Sequence, residues 1–185
     1  MVKFGVLISG GGTNLQTVID HCESGDIHGE VAVVISNRAD AYGLTRAANH
    51  QIPHYVSQDS DDILELLIQH DVDYVLLLGY LQKVPASIIQ AYPEKILNIH
   101  PSLIPAFAGK GYYGMRVHQA AIDRGVKYSG ATVHVVNEIY DDGPIVCQGM
   151  VEVSEDDTPE SLQAKVLEVE HKILVEAIKK VCVKE

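Results

Sequence analysis

The stretch Phe4–Ser36, FGVLISGGGTNLQTVIDHCESGDIHGEVAVVIS, decides the fold. Its ends, "FGVLIS" and "EVAVVIS", are continuous apolar runs rather than alternating ones, the pattern of strands covered on both faces. Between them "TNLQTVIDHCESG" carries apolar residues at helical spacing, and Gly25 is placed to stop that helix. Strand, helix and second buried strand make a βαβ unit, whose strands run parallel.

The same alternation continues outward. "DYVLLLG" and "KILNIH" read as further buried strands, and "YGLTRAANH", "DDILELLIQH", "PASIIQAYP" and "MRVHQAAIDRG" as helices between them. "PSLIP" ends the "KILNIH" strand abruptly. "SGATVHVV" and "PIVCQGMVEV" alternate, and "NEIYDDG" joins them, so they form an antiparallel pair near a sheet edge. In the last helix, "TPESLQAKVLEVEHKILVEAIKKV", Thr158 is the cap and Pro159 opens the first turn. Leu162, Val166, Val169, Ile173 and Ile178 give that helix one apolar face. The fold class is α/β: a doubly wound, mostly parallel sheet with helices on both faces and an antiparallel C-terminal strand pair. No linker divides the chain, so residues 1–185 are expected to form a single domain.

The totals exclude several classes. The chain has 185 residues, 46% hydrophobic and 21% charged, enough to bury a real core. Its 25 acidic and 14 basic residues give a net charge of -11. A general affinity for nucleic acid or anionic membrane needs a basic footprint, so neither partner is expected. Any anionic ligand must be held by a local device. Between Arg46 and Lys83 there is no Lys or Arg. Cys22, Cys147 and Cys182 are odd in number and form no C-x-x-C pair, which suits reduced cysteines in a cytoplasmic protein. The N-terminus has no signal-peptide pattern, and no apolar run approaches the ~18 residues of a membrane span.

In open parallel sheets, ligands sit beyond the carboxyl ends of the strands, and "SGGGTN" lies at such an end. Thr13 and Gln16 have capping-box spacing, which predicts a helix starting at Thr13 with free N–H groups facing the loop. Glycine there lets a ligand approach the backbone, and Gly12 is expected at positive φ. No G-K-[ST] follows, so this is no Walker loop. Leu15 stands where a dinucleotide fingerprint has its third glycine, and "SNRAD" lacks the ribose-binding carboxylate. A monophosphate site is the better reading than a dinucleotide site or a plain turn.

Asn98 and His100 are two apart on a strand and share a face, and Pro101 ends that strand. An amide donor beside an imidazole suits oxyanion stabilisation and proton transfer in acyl-group chemistry. Spacing alone favours a plainer alternative, a strand-end cap and a structural histidine. Asp141 and Asp142 precede a turn, and a carboxylate beside His100 would hold its tautomer and favour its protonated form. His100, His118, His134 and Asp141 lack compact ligand spacing, so no metal is expected. His21, His28 and His70 read as solvated or structural. No Ser or Cys sits in a nucleophile elbow, which argues against a covalent acyl-enzyme.

In order along almost the whole chain come "VLISGGGTNL", "SNRADAYGL", "LLGYLQKVP", "ILNIHPSLIPAF", "SGATVHVVNEIYDDGPIVCQ" and "KVLEVEH". Together they resemble the folate-dependent formyltransferases, and within these the phosphoribosylglycinamide formyltransferases of purine biosynthesis. The resemblance implies transfer of the formyl group of 10-formyltetrahydrofolate, the co-substrate, to the amine of glycinamide ribonucleotide by direct attack. It implies that Asn98 holds the formyl oxygen, that His100 as imidazolium stabilises the oxyanion and acts as general acid, and that Asp141 supports His100 and helps move the amine proton. His134 would be a supporting residue. Gly11, Gly12, Thr13, Asn14 and Leu15 would hold the ribonucleotide phosphate, and Glu170 the ribose. Leu81, Gln82, Lys83 and Val84 would wall the folate pocket together with Asn98 and Asp141, and the 137–142 loop would cover the pterin.

Two departures concern the folate tail. The family often has Met-Arg where this chain has Leu81-Gln82, with Lys83 available to supply the charge. A basic residue common in the preceding segment is absent from "SQDSDDILELLIQH". The longer "GKGYYG", Gly109 to Gly114, reads as a mobile lid carrying Lys110. The rivals are another formyltetrahydrofolate-using enzyme, a hydrolase or a tRNA formyltransferase, and a non-catalytic nucleotide-binding module. The first group would need an added regulatory or basic RNA-binding segment; the second has no chemical reason to retain Asn98, His100 and Asp141 together. The expected partners are the small-molecule substrates, with the chain a monomer or a homodimer.

Overall fold

The computed structural model describes residues 1–183. β1 (Val2–Ile8), α1 (Thr13–Glu23) and β2 (Gly29–Ser36) form the first βαβ unit. α2 (Tyr42–Asn49), β3 (His54–Val56), α3 (Ser60–Gln69), β4 (Tyr74–Leu77), α4 (Ala86–Ala91) and β5 (Ile96–His100) continue it. α5 (Met115–Arg124), β6 (Tyr128–Val135), β7 (Ile145–Glu152) and α6 (Pro159–Val181) complete the chain. The seven strands form one sheet in the order β3-β2-β1-β4-β5-β6-β7. β1 to β5 pair in parallel, and the β5–β6 and β6–β7 pairs are antiparallel.

The continuous apolar runs are explained by two cores, one on each face. Along β1, Phe4, Val6 and Ile8 enter a core shared with Leu15, Val18, Ala121, Val166 and Ile178, from α1, α5 and α6. Leu7 enters the opposite core with Ile63 and Leu67 of α3 and Ile88 of α4. With a side-chain period of two, a strand covered on both faces must be apolar at successive positions. Strand order reverses between β1 and β4, which opens the crevice where doubly wound sheets take ligands. Among the described residues, no helix is long and apolar enough to cross a membrane.

Two local expectations change. β3 has no apolar run to announce it: His54, Tyr55 and Val56 are all exposed, and the strand exists through pairing with β2 at the sheet edge. The Thr13–Gln16 capping box does not form. Gly12, at φ 72 and ψ 32, takes the N-cap position without a side-chain cap, and Thr13 is already helical. Gln16 Nε2 instead donates to Asp20 Oδ1 at 2.8 Å. Gly25 follows α1 at φ 80, as a helix stop requires.

Thr158 caps α6 as expected, with Oγ1 accepting from Ser161 N–H at 3.2 Å while Ser161 Oγ accepts from Thr158 N–H at 2.9 Å. The helix packs on β6, β7, α1 and α5, so its start is a junction for the first core. Thr158→Ala should therefore lower unfolding free energy by ~1 kcal/mol. An unshifted urea midpoint would show that the cap contributes nothing.

Candidate active site

Three strand ends supply the site. β1 delivers the glycine loop, β4 leads into Gly79–Val84, and β5 carries Asn98 and His100. Register explains how the side chains meet. Asn98 and His100 alternate with Leu97 and Ile99, which enter the first core, so both face the other side of the sheet. In the antiparallel β5–β6 pair, His134 stands directly opposite Asn98. Directly opposed residues share a face, so this imidazole reaches the amide.

Asn98 Nδ2 lies 3.0 Å from His134 Nε2 and 3.5 Å from Asp141 Oδ1. His134 Nδ1 is 3.0 Å from Val135 O. A carbonyl only accepts, so Nδ1 carries a proton, while Nε2 faces both the Asn98 amide and Asp141 Oδ1, the latter at 3.6 Å. His100 Nε2 likewise donates to Phe107 O at 2.8 Å, while its Nδ1 lies 3.6 Å from Asp141 Oδ2. Both nitrogens of His100 thus face acceptors. Asp141 Oδ2 also accepts from Gly109 N–H at 2.9 Å, tying the 109–114 segment to the turn after β6. Burial pushes the Asp141 carboxyl up, but the rings of His134 and His100 and the Gly109 N–H outweigh it and hold it below its ordinary value of 3.8.

Beside this cluster lies a cleft of about 290 Å³, lined by Leu81, Gln82, Lys83, Val84, residues 109–114 and residues 136–141. Lys83 Nζ sits 6.0 Å from the centre of the Tyr140 ring, and Lys110 also lines the cleft. Gln82 Oε1 accepts from Tyr80 Oη at 3.3 Å. At the β1 end, Leu81 N–H donates to Ser9 Oγ at 2.9 Å, which couples this wall to the residue preceding the glycines.

The glycine loop forms a second centre. Gly10 O accepts from Gly43 N–H at 3.0 Å and Gly11 O from Arg46 Nε at 2.8 Å. The first N–H groups of α1 have no intrahelical acceptor, as at any helix start. Glu170 of α6 joins this centre and stands apart from Asn98, His100 and Asp141: its Oε2 accepts from Asn14 Nδ2 at 2.7 Å. Burial raises the Glu170 carboxyl pKa against that hydrogen bond. Asn14 Oδ1 is buried with no partner.

The sequence reading ties the bareness of Gly12 to a ligand. The structure adds a nearer cause, because a Cβ there would meet Gly43 Cα at 2.8 Å. At Gly10 and Gly11 a Cβ would meet nothing within 4 Å, so these are the positions open to an approaching molecule. His118 is buried with Nδ1 unpartnered, and burial, then the charge of His100, lowers its pKa. Among the described residues, no group of three or more His, Cys, Asp or Glu is placed to hold a metal ion. The Phe107 carbonyl, the Gly109 N–H and Arg46 escaped the sequence reading. The first two are backbone groups without a residue signature, and Arg46 is set on the loop by α2 packing.

A formyl transferase family profile matches residues 2–178. The chain is 42% identical to the chloroplastic phosphoribosylglycinamide formyltransferase of Arabidopsis thaliana, over 97% of this chain and 65% of that protein. It is 44% identical to the phosphoribosylglycinamide formyltransferase of Haemophilus influenzae, over 97% of this chain and 86% of that one. The crystal structure of glycinamide ribonucleotide transformylase 1 from Symbiobacterium toebii superposes with a TM-score of 0.91 at 44% identity, covering 97% of this chain and 86% of that one. The chain spans less than two thirds of the length of the plant relatives from Arabidopsis thaliana and Vigna unguiculata. The chain belongs to the formyl transferase family.

Two outcomes follow from this geometry. Gly12→Ala, strained by its positive φ and by the Gly43 backbone, should destabilise the protein by ~1 kcal/mol or more without any ligand, whereas Gly11→Ala should leave the melting temperature almost unchanged. Equal melting temperatures for the two variants would refute the packing account. A carboxyl whose pKa is depressed by folding adds stability above its unfolded value, and that stability is lost as pH falls through the folded value. The stability gap between wild type and Asp141→Asn should therefore hold steady down to about pH 4 and close below it. A gap independent of pH from neutrality to strong acid would remove Asp141 from the ion network.

Proposed function

We propose that this member of the formyl transferase family transfers the formyl group of 10-formyltetrahydrofolate to the amino group of N1-(5-phosphoribosyl)glycinamide, by direct attack of the amine. The carrying observation is the convergence of Asn98, His100 and Asp141 beside the Leu81–Val84 cleft. The activities in the names of the Arabidopsis and Haemophilus relatives support it.

In this reading the formyl oxygen lies between Asn98 Nδ2 and His100 Nδ1. At 3.6 Å from Asp141 that Nδ1–H is beyond hydrogen-bond length and remains available, whereas Nε2–H is engaged by Phe107 O. The amine lone pair forms the new C–N bond, and the carbonyl π pair moves onto oxygen. The imidazolium and the Asn98 amide stabilise the resulting oxyanion where charge develops. The attacking nitrogen must lose a proton, and Asp141, kept ionised at neutral pH by its neighbours, takes it through water. Collapse of the intermediate breaks the bond to the folate N10, which leaves with a proton from His100. One proton has then passed from amine to N10, and His100 is recharged from Asp141. His134 fixes the Asn98 amide from behind.

The ribonucleotide phosphate rests on the N–H groups of Gly11, Gly12, Thr13, Asn14 and Leu15 at the start of α1. A ribose hydroxyl supplies the donor that the buried Asn14 Oδ1 lacks, beside Glu170. The folate ring fills the cleft between Leu81–Val84 and the 137–142 turn, with Lys83 and Lys110 near its carboxylate tail and Gln82 in the wall.

Incubation with glycinamide ribonucleotide and 10-formyldideazafolate should release the deformylated analogue, and absence of release would end the reading. His100→Ala should lower kcat by ~10²-fold or more, as loss of a general acid or an oxyanion donor does. Dissociation constants for both substrates should stay close to wild type. Near-normal turnover in this variant would remove His100 from the chemistry.

A further inference from the structure

The phosphate loop is oriented from α2 as well as from its own strand and helix. Gly43 N–H holds Gly10 O at 3.0 Å, and Arg46 Nε–H holds Gly11 O at 2.8 Å. In a trans peptide the C=O and the following N–H point in opposite directions. Fixing those two carbonyls toward α2 therefore turns the N–H groups of Gly11 and Gly12 to the other side. The loop itself is open, since a Cβ at Gly10 or Gly11 would meet nothing within 4 Å.

Arg46 also supplies charge where the chain has almost none. No Lys or Arg lies between Lys3 and Arg38, and Arg38 is engaged by Asp40 through two hydrogen bonds of 3.0 and 2.8 Å. Arg46 makes no ion pair among the described residues. Its partners are the Gly11 carbonyl, the Gln16 amide oxygen at 3.3 Å and the Tyr42 ring at 5.0 Å. A guanidinium held by neutral groups keeps its full charge, in a protein whose net charge is -11. Deprotonation is no escape for arginine, so the site carries that charge at any working pH.

We propose that Arg46 is the positioning residue of the phosphate site: it aims the Gly11 and Gly12 N–H groups and supplies the positive field that selects a phosphate monoester over an uncharged ribose. This inference rests on the proposed formyl transfer for the identity of the substrate, but not for the presence of a phosphate site. Loss of the guanidinium acts on substrate binding and not on the reacting atoms, because Arg46 is absent from the cleft around Asn98 and His100.

The test compares wild type, Arg46→Gln and Arg46→Lys in steady-state kinetics and in calorimetric binding of ribose 5-phosphate. Arg46→Gln should raise KM for glycinamide ribonucleotide about tenfold or more, the loss expected of one charge-assisted interaction, with kcat and the folate KM little changed. Arg46→Lys, which keeps the charge but not the fork, should recover part of that loss. The dephosphorylated substrate should be equally poor with all three proteins. Ribose 5-phosphate affinity should fall with added salt in the wild type and be nearly flat in Arg46→Gln. An unchanged KM, or equal losses on phosphorylated and dephosphorylated substrates, would overturn the proposal. Failure of wild type to bind ribose 5-phosphate would overturn it as well. If wild type binds ribose 5-phosphate, Arg46→Gln does not, and no formyl group moves, the transfer reading falls while Arg46 keeps its role. If formyl transfer occurs and Arg46→Gln binds like wild type, the role of Arg46 falls alone.

Discussion

A carboxylate only 11% exposed must find donors for its oxygens, and Asp141 finds them on separate parts of the chain. Oδ2 takes the Gly109 N–H and faces His100; Oδ1 faces Asn98 and His134. Buried without these neighbours, the group would take up a proton rather than stay charged. Its ionised state therefore depends on β5, β6 and the turn at Gly109 being in place together. The dependence is mutual, because the turn after β6 reaches the cluster with Asp141 at φ 51, a left-handed conformation that aspartate adopts at some cost. Hydrogen bonds from the Gly109 N–H and the Asn98 amide, with the two imidazoles close by, offset that cost.

The sheet supplies the precision. Asn98 pairs in register with Leu77 of β4 on one side and His134 of β6 on the other. A slip of one residue in the β5–β6 pair would turn His134 to the opposite face, away from Asn98. The buried apolar residues flanking Asn98 and His100 forbid such a slip, because Leu97 and Ile99 belong to the first core. Packing that looks purely structural thereby fixes the Asn98 amide within hydrogen-bonding reach of the His134 ring and sets His100 on the same face.

The fold was legible because burial on both faces leaves a distinctive mark. "FGVLIS", "EVAVVIS" and "DYVLLLG" alternate with helical patterns, and each became a parallel strand. The antiparallel pair was legible from period-two alternation and the "YDDG" turn. β3 was not, since three exposed residues at an edge need no apolar pattern. The start of α1 at Thr13 was legible, but its cap was not, because capping-box spacing reports what Thr13 and Gln16 can do in isolation. A glycine in αL, wedged against Gly43, pre-empted it. Within the site, the pairing of Asn98 with His100 followed from spacing, but the opposition of His134 to Asn98 required a register no local motif encodes. The carbonyl of Phe107, seven residues beyond His100, bears no side-chain signature at all.

The charge balance looks at first like an argument against anionic ligands, and distance decides the matter. At physiological ionic strength charges are screened over about 8 Å, so most of the carboxylates behind the -11 are muted at any one surface point. Backbone N–H groups in direct contact with a ligand are screened far less. The loop at Gly10–Gly12 has its Gly10 and Gly11 carbonyls turned toward α2 and no acidic side chain among its own residues. At the cleft, Lys83 lies beside the Tyr140 ring. Under a net charge of -11, a small anion can be held only where such local donors outweigh the remote charge.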